Sequence, residues 1–412
     1  MARKVRQRRQ LPNVKELIPL MRFGKPELDR RHARLQKAAD VYDLRAIAKR
    51  RTPKPAFDYV DGAAVDEITK DRTREAFDEV EFIPTMLNGH GSIDLGTTIA
   101  GGQAALPIGI APTGFTRFMH TEGEDAGAGA ATTFDIPFSL STMGTRSLEE
   151  VAARSGKGRR WFQLYLWKDR EASANLLQRA KSNGFDTLLV TIDTAVAGQR
   201  LRDVRNGMKI PPELSLKTVL DASYRPEWWF NFLTTDSLKF ASLSDTSSDL
   251  PSLVNAMFDP TLSYEDLAWI REHWDGKLFV KGVLNPEDAI KIIATGADGL
   301  VVSSHGGRQL DRAPVPLQQL PKIRDAVGND VEIIYDSGVM SGNDVAIALA
   351  LGADFVLIGR AYLYGLMAGG QEGVERVLEL MARELDVTLH LLGVSSVREL
   401  DRSMVQAPWL ES

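Results

Sequence analysis

From Asp40 onward, short apolar runs, each the length of one buried strand, recur between longer segments that carry helix-capping signals. The runs are Leu106–Ala111, Pro137–Ser141, Trp161–Leu166, Thr187–Asp193, Lys277–Val283, Gly299–His305, Val331–Asp336 and Phe355–Gly359, eight in all. A helix is predicted over Val41–Arg51, with Asp40 as N-cap and Thr52-Pro53 closing it, and a second over Pro55–Asp61, ending at Gly62. Thr121-Glu-Gly-Glu124 has the form of a capping box, and Ser147, Asn285 and Ser341 each precede acids at a predicted helix start. Gly184, Gly296 and Gly352 stand where helices should stop. Strands that are almost uniformly apolar and alternate with helices imply a parallel sheet covered on both faces. Eight such units fit an α/β fold of the (β/α)8 TIM barrel type better than an open sheet. No Gly-x-Gly-x-x-Gly follows the first strand to support a dinucleotide-binding alternative.

One unit is irregular. About seventy residues separate the fourth strand from a predicted helix over Tyr264–Trp274, including Trp228-Trp229 and the Ser/Asp-rich stretch 242–252; connections this long serve as lids, binding loops or mobile segments. The expected organisation is a basic N-terminal arm (1–39), a barrel domain (40–402) containing the long segment 194–262, and a C-terminal tail (403–412). Twelve Lys/Arg against three acids give the arm +9, leaving −14 for the rest. Two readings of the arm stand: attraction to an anionic membrane surface, or a solvated extension packed on the body or on another subunit. Polar residues follow the basic stretch, against an export signal, and the acidic body disfavours nucleic acid. No run of eighteen apolar residues exists to span a membrane. The chain has no cysteine, which excludes disulfides, a thiol nucleophile and an iron–sulfur cluster on its own thiolates. Redox chemistry here would need an organic cofactor.

Barrel sites lie at the C-terminal ends of strands, so polar residues there are informative by position. The third strand ends in Gln163-Leu-Tyr165, the fourth in Thr191-Ile-Asp193, and the fifth carries Lys281. The sixth runs into Ser303-Ser-His305-Gly-Gly-Arg308, the seventh into Asp336-Ser-Gly338 and the eighth into Gly359-Arg360. Of six histidines, His32, His90, His120, His273 and His390 fall in loops or helices, whereas His305 sits at a strand end and is the candidate base, with Asp193 able to orient it. No second ligand is spaced for a metal at His305. Lys281 must either pair with an acid or face a cofactor that becomes anionic on reduction. The small residues after strands seven and eight, with Arg360, suit a phosphate, and Arg200 and Arg308 offer forked donors for a carboxylate.

These residues resemble the FMN-dependent 2-hydroxy-acid oxidising family, which includes glycolate oxidase, mandelate dehydrogenase and bacterial L-lactate dehydrogenase. The matching strings include Phe57-Asp-Tyr59, Ile110-Ala-Pro-Thr-Gly114, His120-Thr-Glu-Gly-Glu124, Phe162-Gln-Leu-Tyr165, Val190-Thr-Ile-Asp-Thr194, Val280-Lys-Gly282 and Val302-Ser-Ser-His-Gly-Gly-Arg-Gln309. The string Gly198–Met208, the long arm and Ala361–Gly365 look closest to the bacterial L-lactate dehydrogenases. The resemblance implies that His305 takes a proton from the substrate, supported by Asp193, while Arg308, Arg200 and Tyr59 hold its carboxylate and Tyr165 bonds near its hydroxyl. Pro112, Thr113, Gly114, Ser141, Gln163 and Thr191 would contact the flavin rings, with Lys281 at their pyrimidine end. Ser303, Asp336, Ser337, Gly338, Met340, Gly359 and Arg360 complete the implied FMN site. Departures from the family pattern are Ser304 where Asn is usual, Met340 where an Arg is frequent, Met143 where glycolate oxidase has Trp, and Gly114 where many oxidases have Ala. The reaction so implied is oxidation of a small L-2-hydroxy acid, with L-lactate to pyruvate foremost, electrons passing to a quinone or another non-oxygen acceptor. An oxygen-using oxidase or monooxygenase and a non-redox FMN barrel isomerase are the alternatives. A homo-oligomer, tetrameric by resemblance, is expected, located in the cytoplasm or peripherally on the inner face of the cell membrane.

Overall fold

A computed structural model describes residues 28–207 except 90, 223–236, 238, 241 and 259–410, with 11, 13, 15 and 18 as isolated positions. Most of the basic arm, the 242–252 stretch and His90 lie outside the described residues. Eight parallel strands close a barrel: β4 (Ile108–Thr113), β5 (Phe138–Ser141), β6 (Arg160–Leu164), β7 (Thr187–Thr191), β8 (Lys277–Val283), β9 (Gly299–Val302), β10 (Glu332–Asp336) and β11 (Phe355–Ile358), which pairs back onto β4. Each overlaps a predicted strand. The predicted fourth and sixth strands stop short, at Thr191 and Val302, so Asp193 and His305 stand just past the ladder.

The period of two along each strand explains the architecture. Outward positions such as Leu188, Val190, Leu278, Val280, Leu300 and Val302 join the large core beneath the helices. Inward positions at the lower end, Trp161, Leu189, Phe279, Val301, Ile334 and Phe355, pack into a separate core that fills the barrel. Two residues further along, the inward position turns polar: Gln163, Thr191, Lys281, Ser303 and Asp336. One strand face thus builds both the plug and the floor of the site. A hairpin of β2 (Thr97–Ile99) and β3 (Gly102–Ala104) contributes Ile99 and Ala104 to this inner core, and β1 (Glu81–Phe82) pairs with β12 (Val405–Gln406).

Before the barrel come α1 (Arg30–Gln36), α2 (Val41–Arg51), α3 (Lys54–Asp61) and α4 (Ile68–Asp78). The surrounding helices are α5 (Gly123–Thr133), α6 (Leu148–Ser155), α7 (Arg170–Ser182), α10 (Tyr264–His273), α11 (Pro286–Ala294), α12 (Pro316–Val327), α13 (Gly342–Ala350) and α14 (Arg360–Leu392). Within the long connection, α8 (Leu201–Arg205) and α9 (Pro226–Thr234) are described. Asp40, Ser147, Asn285 and Ser341 cap their helices as predicted. The capping box at Thr121 does not form: α5 begins at Gly123 after Glu122, and the buried Glu124 instead accepts from Thr145 N (2.7 Å) and Thr145 Oγ1 (2.5 Å). That bond ties α5 to the loop after β5, a long-range demand that outweighs the local signal. Helix α14 breaks at Gly369–Gly370, and Glu122 accepts from Gln371 N (2.8 Å) where it restarts. Leu35 of α1 is buried against Gly369, and Arg31 pairs with Glu122 and Glu372, which docks this end of the arm on the body.

Candidate active site

The polar inward residues satisfy one another across the barrel mouth. Ser141 Oγ donates to Gln163 Oε1 (2.9 Å), and Gln163 Nε2 donates to Thr191 Oγ1 (3.0 Å), linking three neighbouring strands. Lys281 Nζ, on a residue 4% exposed, donates to Ser303 Oγ (2.7 Å) and pairs with Asp336 Oδ2 at 2.5 Å. A buried ammonium needs such a counter-charge, so the anticipated acid partner is present, and the same side chain borders the cleft above.

That cleft, roughly 1510 Å³ counted with the solvent at its mouth, opens over the strand ends. Tyr59, Tyr165, Arg200, His305 and Arg308 border it, as do Pro112, Thr113, Gly114, Ser141, Lys281 and Asp336. Ser337, Gly338, Met340, Gly359 and Arg360 also line it. Asp193, Gln163, Thr191 and Ser303 stand one layer behind, bonded directly or through one another to lining residues. Met119, Met143 and Leu363 add apolar wall.

His305 Nδ1 lies 3.1 Å from Asp193 Oδ1, which leaves Nε2 for a group in the cleft. The histidine adopts a φ of 55°, held by its own N–H donating to Ser303 Oγ at 3.0 Å. Asp193 Oδ2 is buried with no hydrogen-bond partner among the described residues, so the carboxylate has unspent capacity to stabilise an imidazolium. The approach depends on Gly282, at φ 103° beside an irregularity in β8–β9 pairing, where a Cβ would lie 2.7 Å from Asp193 Cβ and Cγ.

The guanidinium carbons of Arg308 and Arg200 lie 4.9 and 5.4 Å from the Tyr59 ring centroid. Arg308 Nη1 donates to Tyr59 O (2.5 Å), while Arg360 donates through Nε to Val60 O (2.9 Å) and through Nη2 to Gly62 O (2.7 Å). The end of α3 therefore seats two of the three site arginines. Burial first, and the neighbouring Arg200 second, pull the Arg308 guanidinium down to about 10, the sign of a site short of negative charge. Burial, reinforced by Asp193, pushes the Tyr165 phenol up, so it stays a neutral donor.

Four contributors escaped sequence reasoning, three of them because their partners are remote. Asp61 accepts from Arg45 Nε (2.6 Å) and Nη2 (3.0 Å), Arg202 Nη1 (2.9 Å) and Tyr364 OH (2.9 Å). Gln309 Nε2 donates to Asp193 O and Val196 O, each at 3.1 Å, fastening the loop that follows β7. Tyr362 OH bonds Thr113 Oγ1 behind the wall, and Asp203 pairs with Arg200. Only an acid inside the apolar end of a predicted helix hinted at Asp61.

The profile of the FMN-dependent dehydrogenase family matches residues 48–407. The chain belongs to this family. Among relatives of this FMN-dependent dehydrogenase, a putative L-lactate dehydrogenase of Mycobacterium tuberculosis is 52% identical over 392 residues, covering 95% of each chain. The L-lactate dehydrogenase of Pseudomonas syringae is 40% identical over 370 residues, covering 88% of this chain and 97% of its own. Among solved structures, the monotopic membrane protein (S)-mandelate dehydrogenase matches with a TM-score of 0.87 at 38% identity, covering 90% of this chain and 100% of that one. A mandelate oxidase solved with 2-hydroxy-phenylacetamide matches with a TM-score of 0.77 at 35% identity, covering 90% of this chain and 98% of that one. The residues of the cleft fit FMN: a buried ammonium, an arginine at the end of β11 and the small residues Gly338 and Gly359 provide donors and room for a phosphate and a charge-accepting ring. Among the described residues no group of His, Asp and Glu could hold a metal ion, and no helix is long and apolar enough to cross a membrane.

Proposed function

We propose that this FMN-dependent dehydrogenase oxidises a small L-2-hydroxy acid, with L-lactate to pyruvate as the reaction. The observation that carries this reading is a single cleft bordered by a carboxylate-supported histidine and by two guanidiniums stacked on one tyrosine. FMN, when bound, accepts the two electrons of the oxidation. Arg308 and Arg200 hold the substrate carboxylate, Tyr59 shares in that contact, and Tyr165 donates near the hydroxyl. His305 Nε2 takes the substrate proton, and Asp193 keeps the imidazole oriented and its cation stabilised. Pro112, Thr113, Gly114 and Ser141 hold the flavin rings, with Gln163 and Thr191 beneath. Lys281 stabilises negative charge at the pyrimidine end; Ser303, Asp336, Ser337, Gly338, Met340, Gly359 and Arg360 hold the remainder. The names of the relatives support lactate and a dehydrogenase, hence a quinone or another non-oxygen acceptor. The basic arm and the monotopic (S)-mandelate dehydrogenase support peripheral attachment to a membrane.

The test is anaerobic addition of L-lactate to the purified yellow protein while the visible flavin band is followed. Rapid bleaching that persists in air supports a lactate dehydrogenase with a non-oxygen acceptor, and rapid recolouring in air points to an oxidase. Bleaching by a different hydroxy acid alone changes the substrate and keeps the site. No bleaching by any hydroxy acid overturns the redox reading.

A further inference from the structure

The carboxylate site has a counter-charge of its own. Arg200 immediately precedes the short helix α8, and Asp203, one turn on, forms an ion pair with it: Arg200 Nε lies 3.3 Å from Asp203 Oδ2. Asp203 is largely buried, and its carboxyl is pushed up by that burial while the charges of Arg200 and Arg308 pull it back. No other carboxylate forms an ion pair with Arg200 or Arg308 among the described residues. Between the two sits Arg202, whose Nη1 reaches Asp61 Oδ2 (2.9 Å) and whose Nη2 reaches Glu67 Oε2 (2.5 Å). These contacts pin α8 to the end of α3, the segment whose carbonyls seat Arg308 and Arg360.

We propose that Asp203 is a positioning residue for substrate binding, its carboxylate pairing with Arg200 on the Nε side so that the two terminal nitrogens stay presented to the substrate carboxylate. It also balances two neighbouring guanidiniums until that carboxylate arrives. The inference rests on the reading of Arg200 and Arg308 as carboxylate ligands.

The experiment uses FMN-loaded protein, with L-lactate in rapid anaerobic mixing and oxalate as a non-reacting dicarboxylate that perturbs the flavin spectrum. Asp203→Ala should raise both dissociation constants roughly tenfold, the loss expected for a charge-assisted contact, while the limiting bleaching rate changes by less than about threefold. Asp203→Glu, which keeps the negative charge, should recover part of the loss. In an Arg200→Ala background the Asp203→Ala substitution should add less than about twofold, since the group it positions is gone. If binding there is too weak to saturate, Arg200→Lys, which lacks the guanidinium that Asp203 orients, serves as the second background with the same expectation. Unchanged or tighter binding in Asp203→Ala overturns the proposal, as does an undiminished effect in both Arg200 backgrounds, which marks a merely structural role. If wild-type protein binds neither lactate nor oxalate, the underlying reading fails instead.

Discussion

Replacing Asp61 by Asn should measurably loosen the whole molecule. The side chain is 5% exposed and receives four hydrogen bonds, three of them from guanidinium groups. Burial alone would raise its carboxyl, yet Arg45, Tyr364 and Arg202 hold it at about 2 against an ordinary 3.8. At 1.36 kcal/mol per pKa unit, the ionised form gains about 2 kcal/mol from folding. An Asn keeps the shape but turns an amide donor toward a cation, so that contribution should vanish. Spread over a body of this size, about 2 kcal/mol lowers Tm by about 3 °C. The folded value lies below the unfolded one, so the stabilisation is complete above the unfolded value and is lost as pH falls toward 2. The difference in Tm between wild type and Asp61→Asn, measured on FMN-loaded protein, should therefore be flat from pH 8 to 5. A gap under 1 °C would refute the reasoning, and a gap that changes between pH 5 and 8 would assign the effect to a different titrating group.

Lys281→Met should leave Asp336 buried without its cation and cost about 3 kcal/mol or more, seen as a lowered Tm together with loss of flavin on gel filtration. Asp193→Asn should retain FMN and slow flavin bleaching by L-lactate roughly 10²-fold or more, because His305 loses its orienting anion; near-normal bleaching would remove Asp193 from the mechanism. Gly114→Ala should cost about 1–3 kcal/mol of stability, since the new Cβ would lie 2.5 Å from Met143 Cβ and 3.1 Å from its carbonyl, and a melt indistinguishable from wild type would show that Met143 yields freely.

The barrel was legible because its strands are almost uniformly apolar and several carry a polar inward position, as at Gln163 or Lys281, late in the run. His305 and its glycines were legible for the same positional reason. The hairpin Thr97–Ala104 went unread because its strands are three residues each and its turn, Ala100-Gly101, carries a positive φ at a residue that does not advertise it. The Thr121 signal misled because Glu124 has a better partner in Thr145, distant in sequence. Asp61, Arg202 and Asp203 went unread for a related reason. A charged residue at a predicted helix end, as Asp61 is, or in a long connection, as Arg202 and Asp203 are, is usually solvated; folding brings Arg202 onto Asp61 and sets Asp203 against Arg200.

The arginines that face the cleft from β11 and from the turn after β9 are tethered to carbonyls at Tyr59, Val60 and Gly62, which precede the first barrel strand by more than forty residues. The smallest unit that can be transplanted with its chemistry is therefore larger than the smallest unit that closes. A fragment excised from Thr97 onward would keep every barrel ladder but strip those two side chains of their acceptors. Chimeras between members of the family should accordingly place their crossovers before α3, or exchange α3 and both arginine-bearing loops together.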